Sequence, residues 1–182
     1  MGDKVKFNIH NVHYATQSTS TGAWEKPKAI PGAVKFALEP EGDVSPFYAD
    51  GILYYNSVAN NGYKGDLEMA LFPSEFLKDV FGVDEGSTSK VLTENAKVEP
   101  KPFALLFEED GDSTGTKFAL YNCTATRPSR SFATNENSKT PSTSTISITA
   151  APLPDGRVMA MTQDDTPADV KSKWYESVFE EA

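Results

Sequence analysis

His10 and His13 are the only two histidines among the 182 residues. They stand three apart in an alternating apolar stretch, and residues three apart on a regular strand point to opposite faces. That spacing argues against a shared metal unless a bulge intervenes. The run Glu108-Glu109-Asp110-Gly111-Asp112 has the composition of a calcium loop without the ligand register of an EF-hand, and it reads as a hairpin turn. Other carboxylates, among them Glu39, Glu41, Asp43, Asp50, Asp66, Glu68, Asp164 and Asp165, are spread along the chain. A glycosidase needs two carboxylates at a set separation, and no pair stands out. Cys123, the sole cysteine, lies in the apolar context Leu120-Tyr121-Asn122-Cys123-Thr124 and reads as a buried structural thiol. No HExxH, CxxC, GxSxG or phosphate-loop pattern occurs. Phe47, Tyr48, Tyr54 and Tyr55 could form a sugar platform, although such clusters more often serve a core or a subunit contact. The sequence thus predicts no catalytic residue, no cofactor and no metal.

The formal charge of −9 and a pI near 4.7 argue against a grip on nucleic acid, because such a grip neutralises phosphates with Lys and Arg. An acidic wall past which nucleic acid slides is compatible with that charge. One cysteine excludes an intrachain disulfide. Met1–Lys6 lacks an apolar signal region, and no apolar run reaches the ~18–20 residues of a membrane helix. These features predict a chain used in a cytosol or carried out of it inside a larger particle. Length and apolar content suit one domain over residues 1–182.

The elements that would position these residues are mostly strands. Val5, Phe7 and Ile9 alternate, and Val12 and Tyr14 continue on the other parity, which predicts a bulge near His10–Asn11. A strand is expected over Ala33–Glu39, with Val34, Phe36 and Leu38 on one face and Pro40 as its stop. Glu41–Asp50 reads as an irregular loop. Gly51–Ala59 and Gly65–Phe72 read as a hairpin around Asn60-Asn61-Gly62-Tyr63-Lys64. In its second strand Leu67, Met69 and Leu71 face one way, and Asp66, Glu68 and Ala70 the other. Ser74 is expected to cap a helix whose stripe is Phe76, Leu77, Val80 and Phe81, with Gly82 ending it. A short strand is expected at Lys90–Thr93. Phe103–Glu108 and Tyr121–Ala125 form a hairpin through Gly111–Gly115. Arg127–Pro141 reads as a long flexible connection. Thr143–Ala150 should turn Ile146 and Ile148 inward and form a hairpin with Arg157–Thr162. A final helix capped by Thr166, with Pro167 first, carries Val170, Trp174 and Val178 on one face. Eight or nine mainly antiparallel strands and two helices predict a mainly β fold: a β-sandwich or barrel with flanking helices and long loops.

The chain resembles the major tail proteins of siphophages, the tail-tube subunits found in phages and prophages of Gram-positive hosts. The residues that carry the resemblance begin with Asn11-Val12-His13-Tyr14-Ala15, Ile30-Pro31-Gly32-Ala33-Val34 and Leu38-Glu39-Pro40-Glu41-Gly42-Asp43. They continue through Pro46-Phe47-Tyr48-Ala49-Asp50, Asn60-Asn61-Gly62-Tyr63, Gly65-Asp66-Leu67-Glu68 and Pro102–Glu108 to Leu120–Pro128 and Trp174–Val178. They cover most of the chain, and no appended immunoglobulin-like domain is expected.

The resemblance implies a non-enzymatic structural protein of the virion, assembled in the host bacterial cytoplasm. Its subunits would form rings, usually of six, that stack around the tape measure protein. Tail terminator and tail tip proteins would be further partners, and DNA would transit the lumen without specific binding. Asp66 and Glu68 are the lumen-facing candidates, and six copies of a −9 chain carry −54 per ring. Glu41, Asp43, Phe47, Tyr48, Asp50, Arg127 and Arg130, along with the N-terminal residues, are the candidates for contacts between subunits or rings. The alternative is a carbohydrate-binding β-sandwich module on a virion; a β-sandwich hydrolase is a more distant one.

Overall fold

A computed structural model describes residues 5–111, 115–134 and 141–181. The protein is mainly β, with every strand pair antiparallel. In chain order the strands are β1 (Lys6–Thr16), β2 (Lys28–Ala29), β3 (Ala33–Glu41), β4 (Val44–Ala49), β5 (Ile52–Val58) and β6 (Gly62–Met69). Then follow β7 (Asp84–Glu85), β8 (Leu92–Thr93), β9 (Phe103–Gly111), β10 (Thr116–Ala125), β11 (Ser144–Ala150) and β12 (Met159–Met161). The helices are α1 (Ser74–Phe81) and α2 (Ala168–Lys173).

The main sheet runs β2-β1-β9-β10-β11-β6-β3, with β12 also on β10. It folds over on itself at β10. Asn122 takes a positive φ of 46° at a register shift between Leu120 and Cys123. Before the shift β10 pairs with β12, and after it with β11. The expected hairpin between Thr143–Ala150 and Arg157–Thr162 therefore does not form; both segments share one edge of β10 end to end. The fold brings Phe36 of β3 edge-on to Phe107 of β9, with ring centroids 5.3 Å apart. Leu67, Met69, Phe103, Leu105, Leu120, Ile146 and Ile148 fill the space between the layers, and α1 adds Phe76, Val80 and Phe81. Burying each such side chain contributes about 1.5–3 kcal/mol.

A second apolar cluster lies on the outside of β9 and β10. Ala104, Leu106, Ala119 and Tyr121 are covered there by Trp174 and Val178 of the C-terminal segment. Trp174 is an anchor, as expected: its Nε1 donates to the Phe118 carbonyl at 3.3 Å and its ring stacks on Phe179. The helix itself stops at Lys173 and buries none of its residues. Thr166 does not cap it; its Oγ1 accepts from the Gln163 N–H, upstream. Ser74 likewise lies inside α1, and Pro73 stands at the N-cap without a side-chain cap.

Further expectations change around β3 to β6. Pro40 does not stop β3, which runs on to Glu41 with Pro40 opposite Tyr63. A register shift between Ala33 and Lys35 turns Val34 out to solvent, while Phe36 and Leu38 pack inward. The expected hairpin of Gly51–Ala59 with Gly65–Phe72 does not exist. β5 pairs instead with β4, inside the segment read as an irregular loop, and β6 lies between β3 and β11. β6 ends at Met69, so Leu71 is exposed and Phe72 is buried in its place. Residues 112–114 of the Gly111–Gly115 turn and residues 135–140 of Arg127–Pro141 lie outside the described residues, as do the first four residues.

Candidate functional site

The structure gathers the candidate residues at three places. The first is an arm. From Ala33 opposite Met69 the β3–β6 ladder runs to Glu41 opposite Gly62. Backbone bonds from Asn61 N to Glu41 O (2.8 Å) and from Ala59 N to Asp43 O (3.0 Å) carry it on. It then becomes the β4–β5 ladder, from Val44 opposite Val58 to Ala49 opposite Ile52. Asp50 and Gly51 close the tip, both at positive φ (52° and 76°). That is the geometry of a two-residue hairpin turn, for which Asp-Gly is a preferred sequence. At the root, Gly42 packs against the opposite strand so closely that a Cβ there would stand 1.9 Å from the Ala59 carbonyl oxygen.

Beyond the root the arm leaves the core. Val44, Phe47, Tyr48, Ile52, Leu53, Tyr54, Tyr55 and Val58 are all exposed, Tyr54 to 70%. None of them packs against the core clusters of the described residues. Ile52-Leu53-Tyr54-Tyr55 is a continuous apolar run, the pattern of a strand covered on both faces. Among the described residues it is covered on neither. An isolated two-stranded hairpin is at best marginally stable in water.

The second place is the outer face of β3, β6 and β11. Asp66 and Glu68 point away from the buried Leu67 and Met69, as their alternation required. Ser147 Oγ donates to Asp66 at 2.6 Å, and Thr143 Oγ1 donates to Glu68 at 2.6 Å. Lys35 stands across from Glu68, and Lys64 lies two residues from Asp66 with its Nζ 4.0 Å from Glu41. The face is thus rich in hydroxyls and mixed in charge rather than a bare acid wall.

The third place is the far end of those strands. Arg127 pairs with Glu94 at 2.8 Å. The expected loose connection is tied down here: Thr126 and Ser129 donate backbone bonds to Ser147 and Thr145 of β11. Arg130 and Phe132 then line a cleft of about 410 Å³ with Leu71, Phe72, Leu77 and Pro128. Glu41, Asp43, Phe47, Tyr48 and Asp50 therefore sit at one end of the molecule, and Arg127 and Arg130 at the other.

A polar cluster that sequence reasoning missed lies on the outer face of β1, β9 and β10. Two bulges put Asn8 and Asn11 at positive φ (61° and 52°), which Asn tolerates better than most residues. The bulge at Asn11, foreseen from the parity change, returns His13 to the same side as His10. Their strand partners Leu106 and Glu108 share the outer face. Glu108 is the hub. It accepts from Lys117 Nζ at 2.7 Å, Asn11 Nδ2 at 3.1 Å and Tyr175 OH at 3.2 Å, and His10 Nε2 lies 3.8 Å away. His13 stacks on Tyr175, and Lys117 Nζ lies 4.8 Å from the centroid of the same ring. Burial would raise the Glu108 carboxyl, but the donors from Lys117 and Asn11 outweigh it and hold it below its ordinary range. Burial, with Glu108 adjacent, pushes the Tyr175 phenol upward.

Chemically this cluster is a clasp. Its carboxylate takes all three of these bonds on Oε2, and it ties the C-terminal segment to the sheet. Among the described residues no three His, Cys, Asp or Glu converge to hold a metal. Cys123 is fully buried, and burial pushes its thiol up to about 12. No helix among the described residues is long and apolar enough to cross a membrane. No protein-family model matches the chain, and no curated protein matches it.

Proposed function

We propose that this chain is a structural subunit of a phage tail tube, one that forms six-membered rings stacked around the tape measure protein. In this role it carries out no catalysis. The observation that carries the proposal is the arm: a long apolar hairpin whose every large side chain faces solvent in the single chain. An exposed apolar surface of this kind marks an interaction site, and in a tube its occupants would be neighbouring copies. The resemblance on Leu38–Asp43, Pro46–Asp50, Asn60–Tyr63 and Gly65–Glu68 falls on the arm and its root, which supports the same role. Asp66 and Glu68 would face the lumen, on a polar wall past which DNA slides without sequence-specific contact. Tail terminator and tail tip proteins would close the two ends of the tube, within the virion.

Negative-stain electron microscopy of the concentrated chain tests this. Hollow tubes or stacked rings are expected. Particles that stay monomeric at every concentration, and also when seeded with tail tips, would overturn it. The same exposed rings of Phe47, Tyr48, Tyr54 and Tyr55 favour a second reading, a carbohydrate-binding module. Micromolar binding on a glycan array, by a chain that does not polymerise, would select that reading instead.

A further inference from the structure

Two exposed apolar surfaces among the described residues lie at opposite ends of the same strands. The arm leaves from the Glu41–Gly62 end of the β3–β6 ladder. The cleft lined by Leu71, Phe72, Leu77, Arg130 and Phe132 opens at the other end, where Met69 pairs with Ala33 and Ser144. Leu71 is 71% exposed and Phe132 89%, although both are large apolar side chains. Between the two ends β6 spans eight residues, roughly 25 Å.

Charge distinguishes them as well. The segment Gly42–Ala59 carries Asp43 and Asp50 and no Lys or Arg. The cleft carries Arg130, which has no ion-pair partner among the described residues. Asp50 lies at the very tip of the arm, beside Ile52 and Leu53.

We infer that the arm tip of one copy seats in the Leu71–Phe132 cleft of the next, with Ile52 and Leu53 against the apolar wall and Asp50 beside Arg130. The contact is heterologous: each copy offers a plug at one end and a socket at the other, so it repeats without being used up. Because the arm prolongs β3 and β6, copies joined this way advance along the strand direction. The inference rests on the assembly role proposed above and specifies which surfaces meet when copies stack.

Cysteine pairing tests it. Leu53→Cys is combined in one chain with Leu71→Cys, and separately with Phe132→Cys, and each variant is oxidised with diamide. All three positions are exposed, and the native Cys123 is buried. The paired positions are too far apart in one chain for a disulfide, which needs Cα atoms within about 7 Å. Docking predicts a ladder of disulfide-linked oligomers on denaturing gels, absent from each single variant. A charge swap supplies a second readout. Asp50→Arg or Arg130→Glu alone should weaken association about tenfold, and the two together should restore most of it.

Tubes that form with neither linkage nor rescue would overturn the docking and leave the tube role standing. Linked ladders that never close into rings or tubes would support the docking and overturn the tube role. A chain that shows neither linkage nor rescue at any concentration overturns the docking outright.

Discussion

β5 and β6 are neighbours in the chain, separated by three residues, yet they live in different solvents. β6 alternates: Leu67 and Met69 are buried, while Asp66 and Glu68 face out, and it has a strand on each side. β5 does not alternate, pairs only with β4, and is exposed from Ile52 to Val58. Period-2 alternation marks a sheet with one wet face, whereas an unbroken apolar strand marks one that is dry on both. β6 meets its prescription within the single chain. In the assembly proposed above, β5 would meet its own when a neighbouring copy covers it. Under that proposal the pattern of apolar residues describes the assembled state, and the single chain supplies only the β6 part of it.

The sharpest break of this comparison is a charge placed on each strand. Leu67→Asp puts a carboxylate among core side chains at 0% exposure and should cost about 3–5 kcal/mol, enough to unfold most of the chain. Leu53→Asp, on exposed β5, should change the urea midpoint of the monomer by less than about 0.5 kcal/mol and abolish assembly. Equal destabilisation by both would mean that the arm folds back on its own chain.

The clasp around Glu108 gives an intermediate effect, because it holds the C-terminal segment without forming the core. Glu108→Gln should lose about 1–3 kcal/mol at neutral pH. Its folded-state carboxyl is depressed, so the stabilisation is fully present above the ordinary Glu range. It disappears as pH falls through the lower folded value. The wild type and Glu108→Gln should therefore converge in stability as pH falls below the ordinary Glu range. Convergence on raising the pH instead would show that the hub does not act through its charge.

Much of this was legible in the sequence, and the misses share a cause. Strand periodicity located Ile146 and Ile148, Leu67 and Met69, and the bulge at His10–Asn11, because each depends on one strand and its nearest face. Partner choice was not legible. Asn60-Asn61-Gly62 carries the strongest local hairpin signal, yet the hairpin closes at Asp50-Gly51 and the Asn pair lies at the arm's root. Asn60 uses its side chain to accept from the Gly62 N–H, a local turn inside a longer ladder. Pro40 was read as a stop, but a proline is tolerated on an edge strand, and β3 is one. The Glu108 cluster joins β1, β9, β10 and the C-terminal segment, so no window of sequence contains it. Asp-Gly at residues 50–51 could have found the arm.

At the arm's root the expected effect is local. Gly42→Ala drives a Cβ into the Ala59 carbonyl, so the ladder must splay between Asp43 and Ala59. Hydrogen exchange should quicken across Val44–Val58, by about 1–3 kcal/mol of local opening, with β6 unchanged. Protection lost equally in β6 would mean that the arm and the sandwich fold as one cooperative unit, and the contrast between β5 and β6 would soften.

The smallest effect on folding is expected where the comparison turns to β6's own wet face. Asp66→Lys and Glu68→Lys each remove one hydroxyl-to-carboxylate bond, to Ser147 and Thr143, on a face already exposed to water. Each should shift monomer stability by no more than about 0.5 kcal/mol. In the tube the pair changes the wall by four charges per subunit, so DNA that slid past should now be held, in a salt-dependent way. Electrophoretic retention of short duplex DNA by tubes of the double variant, and not of the wild type, would place these residues on the lumen. Unfolding of the monomer by either reversal would remove them from it, because a residue that faces open water cannot carry so much of the fold.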